Sequence, residues 1–252
     1  MGTDKDWERW GNTDPYFGVL SSEKFRRKEL SEHSLEDFFD SGKRHVDRVL
    51  STIRVKFDST FSPRSALDFG CGVGRLVIPL AGNAQRVVGV DISRSMIAEA
   101  TRNCERAGVT NVTFALSDDD LSRVPDTFDL VHSCIVLQHI PWRRGRKILR
   151  SLANRVDGGG YICVQFLTAC SAPKLLRGLV RLRYSIPPLN WVRNLIRGKS
   201  LFEPAMQLHV YNLTEVLADL ASRGFGNPEL MVEPPLPGFE FESTVLVARR
   251  GT

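Results

Sequence analysis

From residue 66 onward, short apolar runs alternate with segments whose apolar residues recur at helical spacing. Ala66 to Phe69 predicts a strand, Val73 to Ala81 a helix and Arg86 to Asp91 a second strand. Ser93 to Ala107 reads as the next helix, with Ser93 as its N-cap and Gly108 as its stop. Asn111 to Ala115 and Phe128 to Ser133 follow as strands, Arg143 to Val156 as a helix and Gly160 to Leu167 as a fifth strand. This switching of period predicts a parallel sheet with helices on both faces. Right-handed crossovers then line up the carboxyl ends of the strands along one edge, where open α/β sheets bind ligands.

The flanks extend this pattern. A helix is expected from Leu35 to Phe57, with apolar residues at 46, 49, 50, 53 and 57, and Pro63 stops it. Residues 1–35 are polar with isolated aromatics (Trp7, Trp10, Tyr16, Phe17) and read as a capping extension on a main domain of residues 36–252. Near the other end, Leu213 to Arg223 is a helix ended by Gly224, and Leu230 to Val232 and Ser243 to Ala248 are strands. Ten residues, Glu233 to Glu242, join these two strands. That is too short for a helical crossover, so the pair is expected to be antiparallel.

Composition narrows the class. The 252 residues are 42% hydrophobic and 25% charged, as in ordinary globular chains, and no run reaches the roughly 20 apolar residues that a bilayer span needs. The N-terminus lacks the apolar core of a secretory signal. Five scattered cysteines without C-x-x-C spacing argue for reduced thiols, a cytoplasmic setting and no structural zinc site. No His/carboxylate cluster at ligand spacing supports a metal.

The candidate chemistry begins where the first strand ends. Asp68-Phe-Gly70-Cys-Gly72-Val-Gly74 leads into a helix. Glycines there let the backbone approach a ligand, and a helix N-terminus offers unpaired N–H groups. Asp91 ends the second strand, where a carboxylate can accept from ribose hydroxyls. Asp118 follows the third strand within reach of an adenine edge. Three acidic points suit a ligand carrying an ammonium, a sulfonium and an adenosine better than a pyrophosphate. A nicotinamide-dependent G-x-G-x-x-G loop would need a glycine where Arg75 stands.

These motifs, with Val88-Gly-Val-Asp-Ile-Ser93, Phe114-Ala-Leu-Ser-Asp118, Phe128-Asp-Leu-Val131 and Asp157-Gly-Gly-Gly160, make the chain resemble the class I S-adenosylmethionine (SAM)-dependent methyltransferases. The resemblance covers about residues 40–168, and the C-terminal strands more loosely. It implies a Rossmann-like, seven-stranded, mostly parallel sheet with an antiparallel C-terminal hairpin. It also implies SAM as methyl donor, S-adenosylhomocysteine as product, and a cofactor site drawn from Asp68, Gly70, Cys71, Gly72, Gly74, Asp91, Ile92, Asp118, Asp119 and Ser133. Ser41 and Gly42 would approach the methionine end.

A hydroxyl acceptor usually needs a base, most often histidine. His139, after the fourth strand, and His209 are the candidate catalytic residues, with a structural role as the competing reading for each. His132 reads as a core histidine, and His33 and His45 have no supporting constellation. Ser133-Cys-Ile-Val lacks the Asn-Pro-Pro-Tyr signature found in many methyltransferases that act on planar nitrogens. The expected activity is therefore O-methylation of a small molecule, with a sugar, glycan or specialised-metabolite hydroxyl leading. The alternatives are a protein or RNA methyltransferase and a non-catalytic SAM-binding module, with membrane association open for the latter.

The net charge is +5, yet Gly158 to Phe202 alone holds seven basic residues and no acidic one. Residues 173–183 read as an amphipathic helix with Leu175, Leu176, Leu179 and Leu182 opposite Lys174, Arg177 and Arg181. After Pro187-Pro188, Leu189, Val192, Leu195 and Ile196 restart the pattern. This basic insertion, about 170–205, reads as a lid with its apolar face on the substrate cleft. The other readings are an interfacial element on anionic lipid, which would make the protein peripheral at a membrane, or a holder of an anionic substrate through residues 173–199. No nucleic-acid module is recognisable, and the oligomeric state is left open.

Overall fold

The computed structural model describes residues 3–233 and 240–252. Helices α1 (Thr3–Thr13), α2 (Pro15–Val19) and α3 (Glu32–Lys56) precede strand β1 (Ser65–Phe69). Then come α4 (Val77–Ala81), β2 (Arg86–Asp91), α5 (Arg94–Arg106), β3 (Val112–Leu116) and β4 (Phe128–Ser133). Helix α6 (Trp142–Asn154), β5 (Val156–Cys170), α7 (Lys174–Ser185), α8 (Pro187–Ile196) and α9 (Leu213–Ala221) follow, and β6 (Glu229–Glu233) and β7 (Phe241–Arg249) close the chain.

The seven strands form one sheet in the order β3-β2-β1-β4-β5-β7-β6. The first five strands pair in parallel, while β7 runs antiparallel to both β5 and β6, as the short connection required. Most of that connection, residues 234–239, lies outside the described residues.

Period-two alternation sorts the side chains to the two faces. Leu67, Phe69 and Val131 point to the side covered by α6 and α9, where Ile148, Leu149, Leu152, Val216 and Leu220 complete a core. Ala66 and Leu130 point to the opposite side, against Val46, Val49, Leu50 and Ile53 of α3 and Val77 and Leu80 of α4. In the β1–β4 register Asp68 stands opposite His132. Both are therefore polar groups on the face that α3 covers.

Helix starts follow the expected chemistry. The Ser93 side chain accepts from the Met96 amide at the head of α5. Ser31 and Ser34 form a reciprocal capping box on α3. Boundaries differ in places: the helix expected from Val73 begins only at Val77, and the fifth strand, expected over Gly160 to Leu167, runs Val156–Cys170. Gly70, Gly72 and Gly74 all take positive φ (73°, 51° and 88°), so the chain turns through the left-handed region before it can coil.

A third apolar cluster joins the N-terminal segment to the sheet domain. Trp10, Tyr16, Phe17, Phe25 and Phe38 pack with Val73 and Met96. The Tyr16 hydroxyl bonds Glu99 and Asn103 of α5 at 2.7 and 3.0 Å.

Candidate active site

The carboxyl ends of β1, β2 and β4 open on a cavity lined by Gly70, Gly72, Asp91, Ile92, Met96, Asp118 and Asp119. Trp7 of α1 and Gly18 and Val19 of α2 close it from above, and Val136 and Ile140 wall one side. Asp91 is buried at the end of β2 because two loop amides hold it. Gly72 N donates to Oδ2 and Ser93 N to Oδ1, each at 2.9 Å. Burial raises its carboxyl pKa to about 6 against the pull of those amides. Each oxygen keeps a second lone pair for a ligand hydroxyl.

Asp118 caps its own loop by accepting from the Ser122 and Asp120 amides at 2.9 and 3.1 Å. The Ser122 contacts hold its pKa down, so it presents a carboxylate. Asp119 is held by Arg144 Nε at 2.9 Å. With Ile92, Met96, Val136, Ile140 and Trp7 as apolar walls, this edge offers a slot for a flat ring system and acceptors for hydroxyls. These residues fit an adenosyl group.

Not every residue expected at the cofactor lies there. Asp68 turns toward α3, where its Oδ1 lies 2.8 Å from His132 Nδ1. Cys71 is buried behind the loop, and burial pushes its thiol pKa well up. Gly74 packs on Ala100 of α5, 3.5 Å from where a Cβ would stand. The Ser133 hydroxyl donates to the Phe69 carbonyl at 3.0 Å. Ser41 lines a different cavity, and Gly42 is pressed against the Arg75 backbone.

Two larger spaces adjoin the cavity that Asp91 lines. One, of about 780 Å³, lies between α2, the Leu137–His139 turn and α8, and includes Gln138, His139, Asn190, Arg193 and Met206. The other, of about 560 Å³, lies between α3 and the β5–β7 edge and includes Ser41, His45, Arg48, Arg75 and Gln165. Ile135 lines all three spaces. It has φ 61°, a costly conformation for a β-branched residue, and its amide is pinned by Gln165 Oε1 at 2.7 Å.

The two candidate bases fare differently. His139 lines the larger space; its Nδ1 lies 2.8 Å from the Gln207 carbonyl, and Trp7 packs on the ring edge. Burial lowers its pKa to about 4. His209 lines neither the cofactor cavity nor the two larger spaces, and its backbone amide bonds the Gln138 carbonyl at 2.7 Å.

Several residues that the fold brings to the site went unmarked in the sequence. Asp4 and Trp7 arrive from a polar helix that carries no motif. Arg144 reaches Asp4 and Asp119 from the first turn of α6. His45, set aside for want of neighbours, lies 2.9 Å from His132. The available signal was the period-two pairing of Asp68 with His132 on the face that α3 must cover.

A family model described as a methyltransferase domain matches residues 66–160. Residues 66–160 thus carry the features of a methyltransferase domain. The chain is 27% identical over 149 residues to the ubiquinone biosynthesis O-methyltransferase of Coxiella burnetii, covering 56% of this chain and 62% of that one. It is 34% identical over 142 residues to the enzyme of that name from Burkholderia ambifaria, covering 52% and 60%. The matched stretch thus spans about three fifths of these relatives' length. Among solved structures, magnesium protoporphyrin IX methyltransferase from Synechocystis PCC 6803 with bound S-adenosylhomocysteine has the same fold. Its TM-score is 0.64 at 23% identity, with 99% of this chain and 100% of that one covered.

Proposed function

We propose that this protein transfers the methyl group of SAM to an oxygen of a small-molecule acceptor. The observation that carries the reading is the position of Ile135. A cleft suited to an adenosyl group meets two spaces large enough for an acceptor at one residue, so donor and acceptor can be held in contact. The bound donor supplies an electrophilic methyl on a good leaving group. Gly70, Gly72, Asp91, Ile92, Asp118 and Asp119 would hold it.

Oxygen is favoured by the relatives' name, O-methyltransferase. That name also places their chemistry in ubiquinone biosynthesis, which turns the reading toward ring-bearing metabolites. A sugar or glycan hydroxyl is the alternative. S-adenosylhomocysteine release with a panel of phenols, carboxylic acids, amines and sugars decides between them. Equal SAM affinity in wild type and Asp91→Ala would sink the cofactor assignment.

A second observation bears on location. The basic insertion does not turn its apolar face to the cleft. Asn190, Arg193 and Asn194 of α8 line the 780 Å³ space, whereas Leu189, Val192, Leu195 and Ile196 are exposed. Leu175, Leu179 and Leu182 of α7 are exposed as well. For these residues the apolar side chains expected on the cleft face outward, while the side chains of Lys174, Leu176, Arg181 and Arg183 lie outside the described residues. Among the described residues no helix is long and apolar enough to cross a membrane. Apolar side chains facing outward on a segment without acidic residues from Gly158 to Phe202 suit the headgroup region of an anionic bilayer.

A further inference from the structure

Three titratable side chains from three separate elements stand in a row beneath the 560 Å³ space. Asp68 on β1 and His132 on β4 are each 1% exposed, and Asp68 Oδ1 lies 2.8 Å from His132 Nδ1. His132 Nε2 lies 2.9 Å from His45 Nε2 on α3. His45 Nδ1 is 3.9 Å from Cys134 Sγ, and both residues line the space. Cys134 and Ile135 also line the cofactor cavity, so the free end of the row lies beside the place where the methyl group must be delivered. A fold of this size has no need of such a row. Burying polar groups costs free energy that apolar packing at the same positions would avoid.

The carboxylate fixes the tautomers. Asp68 can only accept, so His132 carries its proton on Nδ1 and leaves Nε2 bare. His45 must then donate from Nε2, which leaves Nδ1 as the acceptor, with only the weak thiol donor of Cys134 3.9 Å from it. Resting on the methyltransferase reading above, we propose that the 560 Å³ space is the acceptor site, that His45 is its general base, and that His132 and Asp68 position His45 and take over the charge. The acceptor class is an acidic hydroxyl, a phenol or enol.

The proton balance runs along the row. The acceptor O–H bond breaks and its proton goes to His45 Nδ1, while the proton on His45 Nε2 passes to His132 Nε2. The freed oxygen pair forms the O–CH3 bond, and the sulfonium C–S bond breaks with its pair left on sulfur. The positive charge comes to rest on His132 against the Asp68 carboxylate. The titratable groups facing His45 are His132, neutral at rest, and the cations Arg75 and Arg48, and the neutral Cys134 thiol lies on its other side. Burial and those cations lower the pKa of His45 to about 2, so a charge held there would be costly. Passing it to His132 sets it against the Asp68 carboxylate at 2.8 Å.

Arg75 completes the site. It is 5% exposed, lines the same space and makes no ion pair among the described residues. One guanidinium nitrogen reaches Ser41 Oγ at 3.3 Å, and Nε is buried without a partner. A buried cation without a carboxylate stabilises the oxyanion that forms as the acceptor loses its proton. A phenol ionises near pH 10, like tyrosine, and lies within reach of a relayed imidazole and this cation. A sugar alcohol is far less acidic.

The test starts from 15N-histidine-labelled protein at neutral pH. The expected spectrum shows His45 as the Nε2–H tautomer and His132 as Nδ1–H, and the opposite tautomer at either ring overturns the relay. Wild type, His45→Gln and His132→Asn are then compared for S-adenosylhomocysteine affinity and for methylation of catechol and methyl glucoside. The expected result is affinity within about twofold, a loss of about 10²-fold or more with catechol at pH 7, and recovery toward about pH 10, where the phenol ionises unaided. Catechol rates in His45→Gln close to those of wild type, or methylation of the glucoside in preference to catechol, would overturn the proposal. So would a wild type that binds SAM and methylates neither compound. A wild type that fails to bind SAM overturns the methyltransferase reading itself.

Discussion

Arg144 grips Asp119 at 2.8 Å with one guanidinium nitrogen and Asp4 at 2.6 Å with another, tying α1 to the loop after β3 across the mouth of the cofactor cavity. Both carboxylates line that cavity, and so does Trp7 one turn beyond Asp4. The clasp is partly solvent-exposed, which keeps its contribution to global stability small. Its consequence is local: it sets how readily α1 lifts. Arg144→Ala should weaken S-adenosylhomocysteine binding about tenfold, mostly through faster release, and change the melting temperature little. Calorimetry and stopped-flow release measure both, and an unchanged release rate would remove α1 from the gating role.

Gly42 lies where α3 crosses the turn after the glycine loop. A Cβ there would stand 2.2 Å from the Arg75 carbonyl oxygen, which is backbone and cannot rotate aside. Gly42→Ala must push α3 off the sheet, carrying His45 with it. We expect a loss of about 2 kcal/mol, read as a melting temperature lower by about 4–8 °C. Cofactor affinity should suffer less, since Gly42 does not line that cavity. Thermal unfolding with and without S-adenosylhomocysteine separates the two effects.

How much of this was legible depended on whether a feature is local. The strands, the Ser93 cap, the turn through Gly70 and Gly72 and the acids at Asp91 and Asp118 are written in short segments, and the fold places them as read. Asp68 was assigned to the ligand because it opens the loop. Its side is set by strand alternation, which turns it to His132. His45 and His132 are 87 residues apart, and only the packing of α3 on the sheet brings them together. The face that α8 presents is not legible in the sequence, because amphipathicity gives two faces without saying which one meets the protein. There Asn190 and Asn194 turn inward to bond the Glu203 carbonyl at 3.1 and 3.0 Å.

The Asp91 carboxyl couples pH to both stability and binding. Its pKa is raised to about 6 in the fold, above the usual aspartate value, so the native state holds its proton more tightly than the unfolded chain does. The stability it contributes is present below about pH 4 and is lost as pH rises through about 6. On the proposed cofactor reading the ligand favours the opposite form, since a carboxylate can accept from both ribose hydroxyls. Between about pH 4 and 7 the melting temperature of Asp91→Asn should therefore gain on that of wild type. S-adenosylhomocysteine affinity should strengthen with pH in wild type and stay flat in the variant. Parallel pH trends in the two proteins would contradict the link.

The outward leucines of α7 and α8 make the last prediction. If lipid covers them, binding needs two forces at once: apolar side chains entering the interface and basic residues drawn to anionic headgroups. Flotation should then show the protein on vesicles containing phosphatidylglycerol and not on pure phosphatidylcholine, and added salt should weaken the association by screening. Leu175, Leu179 and Leu182 are all exposed, so replacing them with serine removes no core contact. That triple variant should keep its melting temperature and its cofactor affinity and lose vesicle binding. A variant that still floats would leave the basic residues as the sole attachment. A wild type that stays off anionic vesicles even at low salt would remove the membrane reading and return these side chains to the search for a protein partner.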